Sequence, residues 1–359
     1  MLRKALQCRL GALFLAFLCF SLLEEAFVAK VFFNTSGRLE RGSVSDSSEA
    51  PRCLVPVYQG LCLVRKAPSS DSLEPVLLSE VPGKESSESS GGQFLAYLGR
   101  PTSGPLLELQ KRTLEKGGAC GAGFWLLDLS ALPEAPEGSV LGAEGEWSKL
   151  RSRSGPSVLD ALAADDYAAL LSTAVGLSEW HRSVPFCAKC GGRTAPFRAG
   201  LNRRCEACGA RYRPRLDPSV IVLVTHKERC LLGRKAVWPP GRYSTLAGFV
   251  EFGETLEECV VREVREESGV LVDPSSIRFV ASQPWLFPRS LMMGFIAEAS
   301  DPTLQLDAEL EDVGWFDRPT LQGALASEAP DGTRAPASLN VPSRASLANT
   351  LMRTWLRDA

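Results

Sequence analysis

Apolar residues fall into two kinds of run along the chain. Short unbroken ones predict buried strands: Cys53 to Val57, Gly60 to Val64, Gln93 to Leu98, Phe124 to Leu129, Val220 to Val224 and Cys230 to Leu232. Ile277 to Gln283 and Leu291 to Ala299 extend the set. Others recur at helical spacing. Asp160 to Arg182 places Leu162, Ala169, Leu170, Ala174 and Leu177 on one face, and Ala345 to Leu356 aligns Leu347, Leu351 and Trp355. Flexible stretches at Lys84 to Gly92 and Pro133 to Gly138 interrupt the first half, and no internal repeat is visible. The first apolar run, Gly11 to Leu23, is 13 residues without charge behind Arg3, Lys4 and Arg9. That suits a signal-peptide core better than a membrane span of about 20 residues.

The helix that carries chemistry lies between Gly248 and Val270, GFVEFGETLEECVVREVREESGV. Thr255 followed by Glu258 predicts a capping box, and Gly269 a helix stop. Leu256, Val260 and Val264 form an apolar stripe, while Glu263 and Glu267 share another face with Glu266 beside them. Like charges at this spacing repel unless a cation lies among them, and a hard divalent ion meets that need. Arg262 is placed to pair with and orient a neighbouring carboxylate. A solvated acidic face is the bland alternative, but it leaves the coincidence of glycines, arginine and carboxylates without a cause.

With 359 residues, more than one unit is expected. A net charge of -2 argues against a broad nucleic-acid or membrane footprint, and only His181 and His226 exist to support histidine chemistry. Eleven cysteines suggest a disulfide framework until their spacing is read. Cys187, Cys190, Cys205 and Cys208 form C-x2-C-x14-C-x2-C with glycines in both knuckles, the spacing of a structural Zn2+ site. Two disulfides or a vestigial knuckle are the alternatives. Cys8, Cys19, Cys53, Cys62, Cys120, Cys230 and Cys259 read as leader residues or small buried hydrophobes. Zinc thiolates imply a reducing compartment for the mature chain.

The pattern G-x5-E-x7-R-E-U-x-E-E-x-G-U, with U aliphatic, is filled by Gly248, Glu254, Arg262, Glu263, Val264, Glu266, Glu267, Gly269 and Val270. It resembles the signature of the Nudix hydrolases at every fixed position. Ser282-Gln-Pro-Trp-Leu-Phe-Pro-Arg-Ser290 resembles the SQPWPFPxS array of the NADH pyrophosphatases, with Leu286 in place of a proline. A four-cysteine ribbon just upstream fits the same group, and the resemblance runs from about Trp180 to Trp355. It implies an α+β chain: a Nudix α/β/α sandwich (216–359) after a linking helix and zinc ribbon (167–215), a smaller N-terminal α+β domain (51–166) and a targeting leader (1–50).

The resemblance also implies a reaction, hydrolysis of the NAD+ or NADH pyrophosphate to AMP and nicotinamide mononucleotide. Glu263, Glu267 and Glu309 with the Ala247 carbonyl would hold Mg2+ or Mn2+, and Glu266 or Glu267 would act on the attacking water. Tyr212, Gln283, Pro284, Trp285, Leu286, Phe287, Pro288, Arg289, Ser290 and Ala345 would bind substrate, the aromatic rings facing a base. One position departs from the family: Arg213, not an aromatic residue, precedes Pro214, with Tyr212 one place earlier. Either Tyr212 takes the stacking role or a cationic contact replaces it. A homodimer is expected, with no stable membrane insertion after leader removal. NAD-capped RNA is the alternative substrate, kept open by Arg198, Arg203, Arg204, Arg211, Arg213 and Arg215 around the ribbon. A non-catalytic NAD-binding or ribbon interaction protein is the reading from another class. The leader implies a plastid or mitochondrion, or an ER anchor if it stays uncleaved.

Overall fold

The computed structural model describes residues 39–40, 53–68, 70–78, 94–101, 104–114, 123–137, 144–150, 158–162, 165–306, 309–327 and 339–358. The leader, Cys8, Cys19, Cys120 and the stretch from Lys84 to Gly92 lie outside the described residues, save strand β1 (Leu39–Glu40).

The first sheet holds β1, β2 (Cys53–Tyr58), β3 (Leu61–Lys66), β4 (Leu73–Pro75), β5 (Phe94–Pro101), β6 (Phe124–Asp128) and β7 (Glu146–Lys149). β2 and β6 run parallel at its centre. β2 is apolar throughout and β6 as far as Asp128, because both sheet faces are covered. Helices α1 (Gly104–Leu114), α2 (Val158–Ala161) and α3 (Asp165–Ser183) complete this part. Leu106, Leu109, Leu170 and Leu171 pack with Cys53, Val55 and Val57 into one core.

The single helix predicted over Asp160 to Arg182 is two helices. Leu162 leaves the first to bridge Leu73 at the sheet edge, and α3 starts afresh at Asp165. α3 is tied to the sheet by a 2.7 Å bond from Ser178 Oγ to the buried Asp128 Oδ2. It then delivers the chain to a three-stranded ribbon, β8 (Thr194–Phe197), β9 (Asn202–Cys205) and β10 (Arg211–Tyr212). Buried His181 joins helix to ribbon: Nε2–H donates to Gly200 O at 2.8 Å and Nδ1 accepts from Arg203 at 3.0 Å. Burial lowers its pKa to about 4, so its role is structural.

The second large sheet contains β11 (Asp217–His226), β12 (Arg229–Arg234), β13 (Leu246–Phe249), β14 (Leu271–Val272), β15 (Arg278–Trp285), β16 (Ser290–Asp301) and β17 (Asp312–Asp317). Side chains along β11 alternate between two cores. Val220, Val222 and Val224 meet Cys259, Val260 and Val264 of helix α4 (Leu256–Ser268). Ile221 and Leu223 meet Leu321 of α5 (Arg318–Ala326) and Leu351 and Trp355 of α6 (Leu347–Arg357). The sheet is thus layered between helices, as the resemblance implies. α5 was not expected from apolar periodicity. Among the described residues no helix is long and apolar enough to cross a membrane.

Candidate active site

Helix α4 begins as its sequence dictates. Thr255 Oγ1 accepts from the Glu258 amide at 3.2 Å, and the Glu258 carboxylate accepts from the Thr255 amide at 2.8 Å. Gly269 ends it in the left-handed conformation, φ 75°. Fixing both ends fixes which carboxylates face the sheet. Glu263 lies against the backbone of Gly248 on β13. A Cβ added there would stand 1.8 Å from the Glu263 carboxyl carbon, so the first glycine of the signature is a clearance for this side chain.

Arg262 organises the acidic face. Its guanidinium donates to Glu254 at 2.7 and 2.8 Å, to Glu263 at 2.9 Å, to Glu266 at 3.0 Å and to the Phe249 carbonyl at 2.9 Å. The forked, always-charged donor set suits several carboxylates at once. It holds the Glu254 pKa down at about 2.

Glu267 occupies the opposite environment, with its side chain only 3% exposed. Burial pushes its pKa up to about 7; Glu309 and Glu263 push the same way, against Lys235 and the Ala247 amide. Burial likewise raises Glu263, against the pull of Arg262. Glu267 Oε2 is buried without a hydrogen-bond partner. An orphaned carboxylate oxygen among other carboxylates, beside the Ala247 peptide, is the donor chemistry a hard divalent cation takes. The residues present therefore fit a hard divalent cation.

One cation in this cluster had no signal in the sequence. Lys235 Nζ, just past β12, lies 2.5 Å from Glu309 Oε1 and 3.9 Å from Glu267 Oε1. No periodicity or motif marks it; only the pairing of β12 with β17, which sets Arg234 opposite Asp312, carries it to the carboxylates.

The four cysteines gather as their spacing predicts. All four Sγ atoms lie within 4.8 Å of one another, which among the described residues marks this set as the candidate metal cluster. None is in a disulfide, and Cys187 to Cys208 and Cys190 to Cys205 stand at 3.6 and 3.5 Å. Gly191 and Gly209 take the positive φ of the knuckles, and the Cys208 amide donates to Cys205 Sγ at 3.4 Å. Tyr212 Oη contacts Cys187 Sγ at 3.0 Å, and this bond leads the causes that lower the thiol pKa to about 6. Four clustered free thiols fit Zn2+. Cys53, Cys62, Cys230 and Cys259 are buried in the cores.

The Ser282 to Ser290 segment is the β15–β16 connection, and the residues read from it divide. Trp285 and Phe287 lie 5.4 Å apart, edge to face, and both are half-buried against the N-terminal core. Pro284, Leu286, Pro288 and Arg289 line a cavity of about 320 Å³, with Gly176, Trp180 and Leu216 across from them. Arg289 also pairs with Asp217 at 2.9 Å, and Ser290 is buried.

Two of the expected substrate contacts are engaged within the fold. Gln283 is buried, its Nε2 donating to Ala345 O at 3.0 Å and its Oε1 accepting from the Leu347 amide at 2.8 Å. Ala345 is itself 3% exposed within the N-terminal core. Both ends of the amide bond the start of α6, so Gln283 and Ala345 help to position that helix. Tyr212 belongs to the ribbon, bonded to Cys187.

Residues 215–335 match the family described as the NUDIX domain, and residues 182–212 match the NADH pyrophosphatase zinc ribbon domain. The chain is 41% identical over 204 residues to a protein named NAD-capped RNA hydrolase NudC from Chromobacterium violaceum, covering 56% of this chain and 71% of that one. Against the Mycobacterium tuberculosis H37Rv protein of the same name it is 42% identical over 196 residues, covering 53% of this chain and 61% of the other. The chain thus spans 61% of the length of its mycobacterial relatives. Among solved structures, a NUDIX hydrolase from Nitrosomonas europaea aligns over 45% of this chain and 99% of its own, at 22% identity and a TM-score of 0.35.

Proposed function

Because the chain belongs to the Nudix hydrolases that carry an NADH pyrophosphatase zinc ribbon, we propose that it hydrolyses the pyrophosphate of NAD(H), releasing AMP and nicotinamide mononucleotide. The single observation that carries this reading is the carboxylate cluster on α4, buried at Glu267 and leaving one of its oxygens without a partner. Glu263, Glu267 and Glu309, with the Ala247 carbonyl, would hold Mg2+ or Mn2+. The bound ion supplies an acidified water and neutralises charge on the phosphoryl oxygens.

The chain's own residues do the rest. Arg262 fixes Glu263 and Glu266 in one orientation. Glu266, with 57% of its side chain exposed, is the carboxylate left to take the proton of the attacking water. Lys235 balances the charge of Glu309 and Glu267 in the metal-free protein. Pro284, Leu286 and Pro288 offer an apolar wall to a base beside Arg289.

The test sets purified enzyme against NADH, NAD+ and ADP-ribose with Mg2+ or Mn2+. AMP and reduced nicotinamide mononucleotide from NADH are the expected products. Faster turnover of ADP-ribose than of either dinucleotide contradicts the reading. Removal of an NAD cap from RNA breaks the same bond on a longer substrate, and the arginines about the ribbon favour it as the second activity. A homodimer is also proposed, since Phe249, Phe252 and Val237 leave apolar side chains exposed beside the site; light scattering at the monomer mass contradicts it. Residues 1–50 are proposed to direct the chain to a plastid or mitochondrion, which a cytosolic fluorescent fusion of that segment would exclude.

A further inference from the structure

Consecutive side chains of the β15–β16 connection rest on the N-terminal part of the chain. Trp285 and Phe287 are half-buried against the core that Leu106, Leu109 and Leu170 build. Leu286, between them, meets Gly176 in the interior of α3. A Cβ added to Gly176 would stand 3.0 Å from Leu286 Cβ and 3.3 Å from its Cδ1, closer than carbon atoms pack unless one of them moves.

Glycine weakens a helix interior, because it loses more backbone freedom on folding than alanine does. Gly176 keeps a helical backbone, with none of the positive φ that calls for glycine in the ribbon knuckles. Clearance for Leu286 is the reason the structure shows for it. Leu286 is also the residue at which its segment departs from the array it resembles.

α3 is held fast just beyond this contact. Ser178 Oγ donates to the buried Asp128 carboxylate at 2.7 Å, which fixes the helix to the first sheet. His181 Nε2 bonds Gly200 O at 2.8 Å, which fixes it to the ribbon. A helix tied in this way is a rigid support for whatever leans on it. Pro284, Leu286 and Pro288 form one wall of the cavity of about 320 Å³, and Thr173, Gly176 and Trp180 line it from α3. The contact between Gly176 and Leu286 therefore sets how far apart the walls stand.

We infer that Gly176 is a positioning residue for substrate binding: its missing side chain seats Leu286, and through that seat the N-terminal part of the chain holds the β15–β16 connection at the spacing a base requires. The inference rests on the proposed NAD(H) reaction for the identity of that base and for nothing else. None of Glu263, Glu267 and Glu309 lines the cavity, so a displaced connection should weaken binding and spare the chemistry.

The test uses full-length, zinc-loaded wild type, Gly176→Leu, Gly176→Ala and the Gly176→Leu/Leu286→Ala pair. KM and kcat for NADH are measured with Mg2+, together with the thermal midpoint and hydrogen exchange in residues 283–291. Gly176→Leu should raise KM at least about fivefold and leave kcat within about twofold of wild type. Exchange in 283–291 should quicken while that of α4 stays as in wild type. Both effects should largely reverse in the pair, since Leu286→Ala opens the room that the new side chain takes. Should Gly176→Leu fail to fold, Gly176→Ala decides. Alanine favours the helix, so its midpoint should equal or exceed that of wild type while KM still rises about twofold.

Wild-type KM and exchange in Gly176→Leu would overturn the inference, as would wild-type KM in Gly176→Ala where the leucine variant does not fold. So would a raised KM that the pair does not recover, because the displacement would then not act through Leu286. Quickened exchange that the pair restores, in an enzyme with no NADH turnover, would support the seat and remove the proposed reaction instead.

Discussion

Glu267 is the residue at which fold and chemistry oppose each other. A carboxylate with ordinary pKa near 4.5 and a folded pKa of about 7 keeps its proton in the folded chain over a window in which the unfolded chain releases it. Its stabilising contribution to the metal-free protein is present below pH 4.5 and is lost as pH rises through 7. Glu267→Gln should therefore stabilise metal-free protein above pH 7, by up to about 3 kcal/mol at ~1.4 kcal/mol per pKa unit, and change little below pH 4.5. Urea unfolding of both proteins at pH 4.5 and 8 measures this, and equal midpoints at pH 8 contradict it. The face shared by Glu263 and Glu267 was legible from a four-residue spacing. The burial of Glu263 was not, because it depends on Gly248 of a strand that only the sheet brings alongside. Lys235 was invisible for the same reason.

Elements were most legible where a local rule determines them. The capping box of α4, its left-handed stop and the Leu347–Leu351–Trp355 face of α6 all follow from neighbours in sequence. Thr255→Ala removes the bond to the Glu258 amide and should cost about 1 kcal/mol, read as a lower thermal midpoint. An unchanged midpoint means the sheet alone holds the helix start. The break at Leu162 was hidden because the pull of Leu73 is a long-range pairing. α5 carried a signal that apolar spacing does not detect: Asp317 caps it through the Thr320 amide, with Pro319 in its first turn. The bonds of Gln283 were not legible because a motif position specifies a residue and not its direction. Its amide faces the start of α6, which closes the second sheet's core.

At the scale of the molecule, the ribbon is a small three-stranded unit whose cysteines stand where apolar side chains would otherwise form a core. Full-length protein should carry about one zinc per chain, and Cys187→Ser should lose the metal together with the order of the ribbon. Metal analysis by mass spectrometry with circular dichroism checks both, and full zinc content in the variant contradicts the assignment. Through Tyr212 and the His181 link to α3, loss of the metal should also disturb the junction with the N-terminal sheet. The central claim, metal-dependent hydrolysis of NAD(H) by the α4 carboxylates, is tested most directly by kcat for AMP release from NADH at saturating Mg2+ in wild type, Glu263→Gln and Glu267→Gln. The account predicts a fall of at least about a hundredfold in both variants, with the fold intact and KM much less affected; near-wild-type kcat in Glu267→Gln would contradict it.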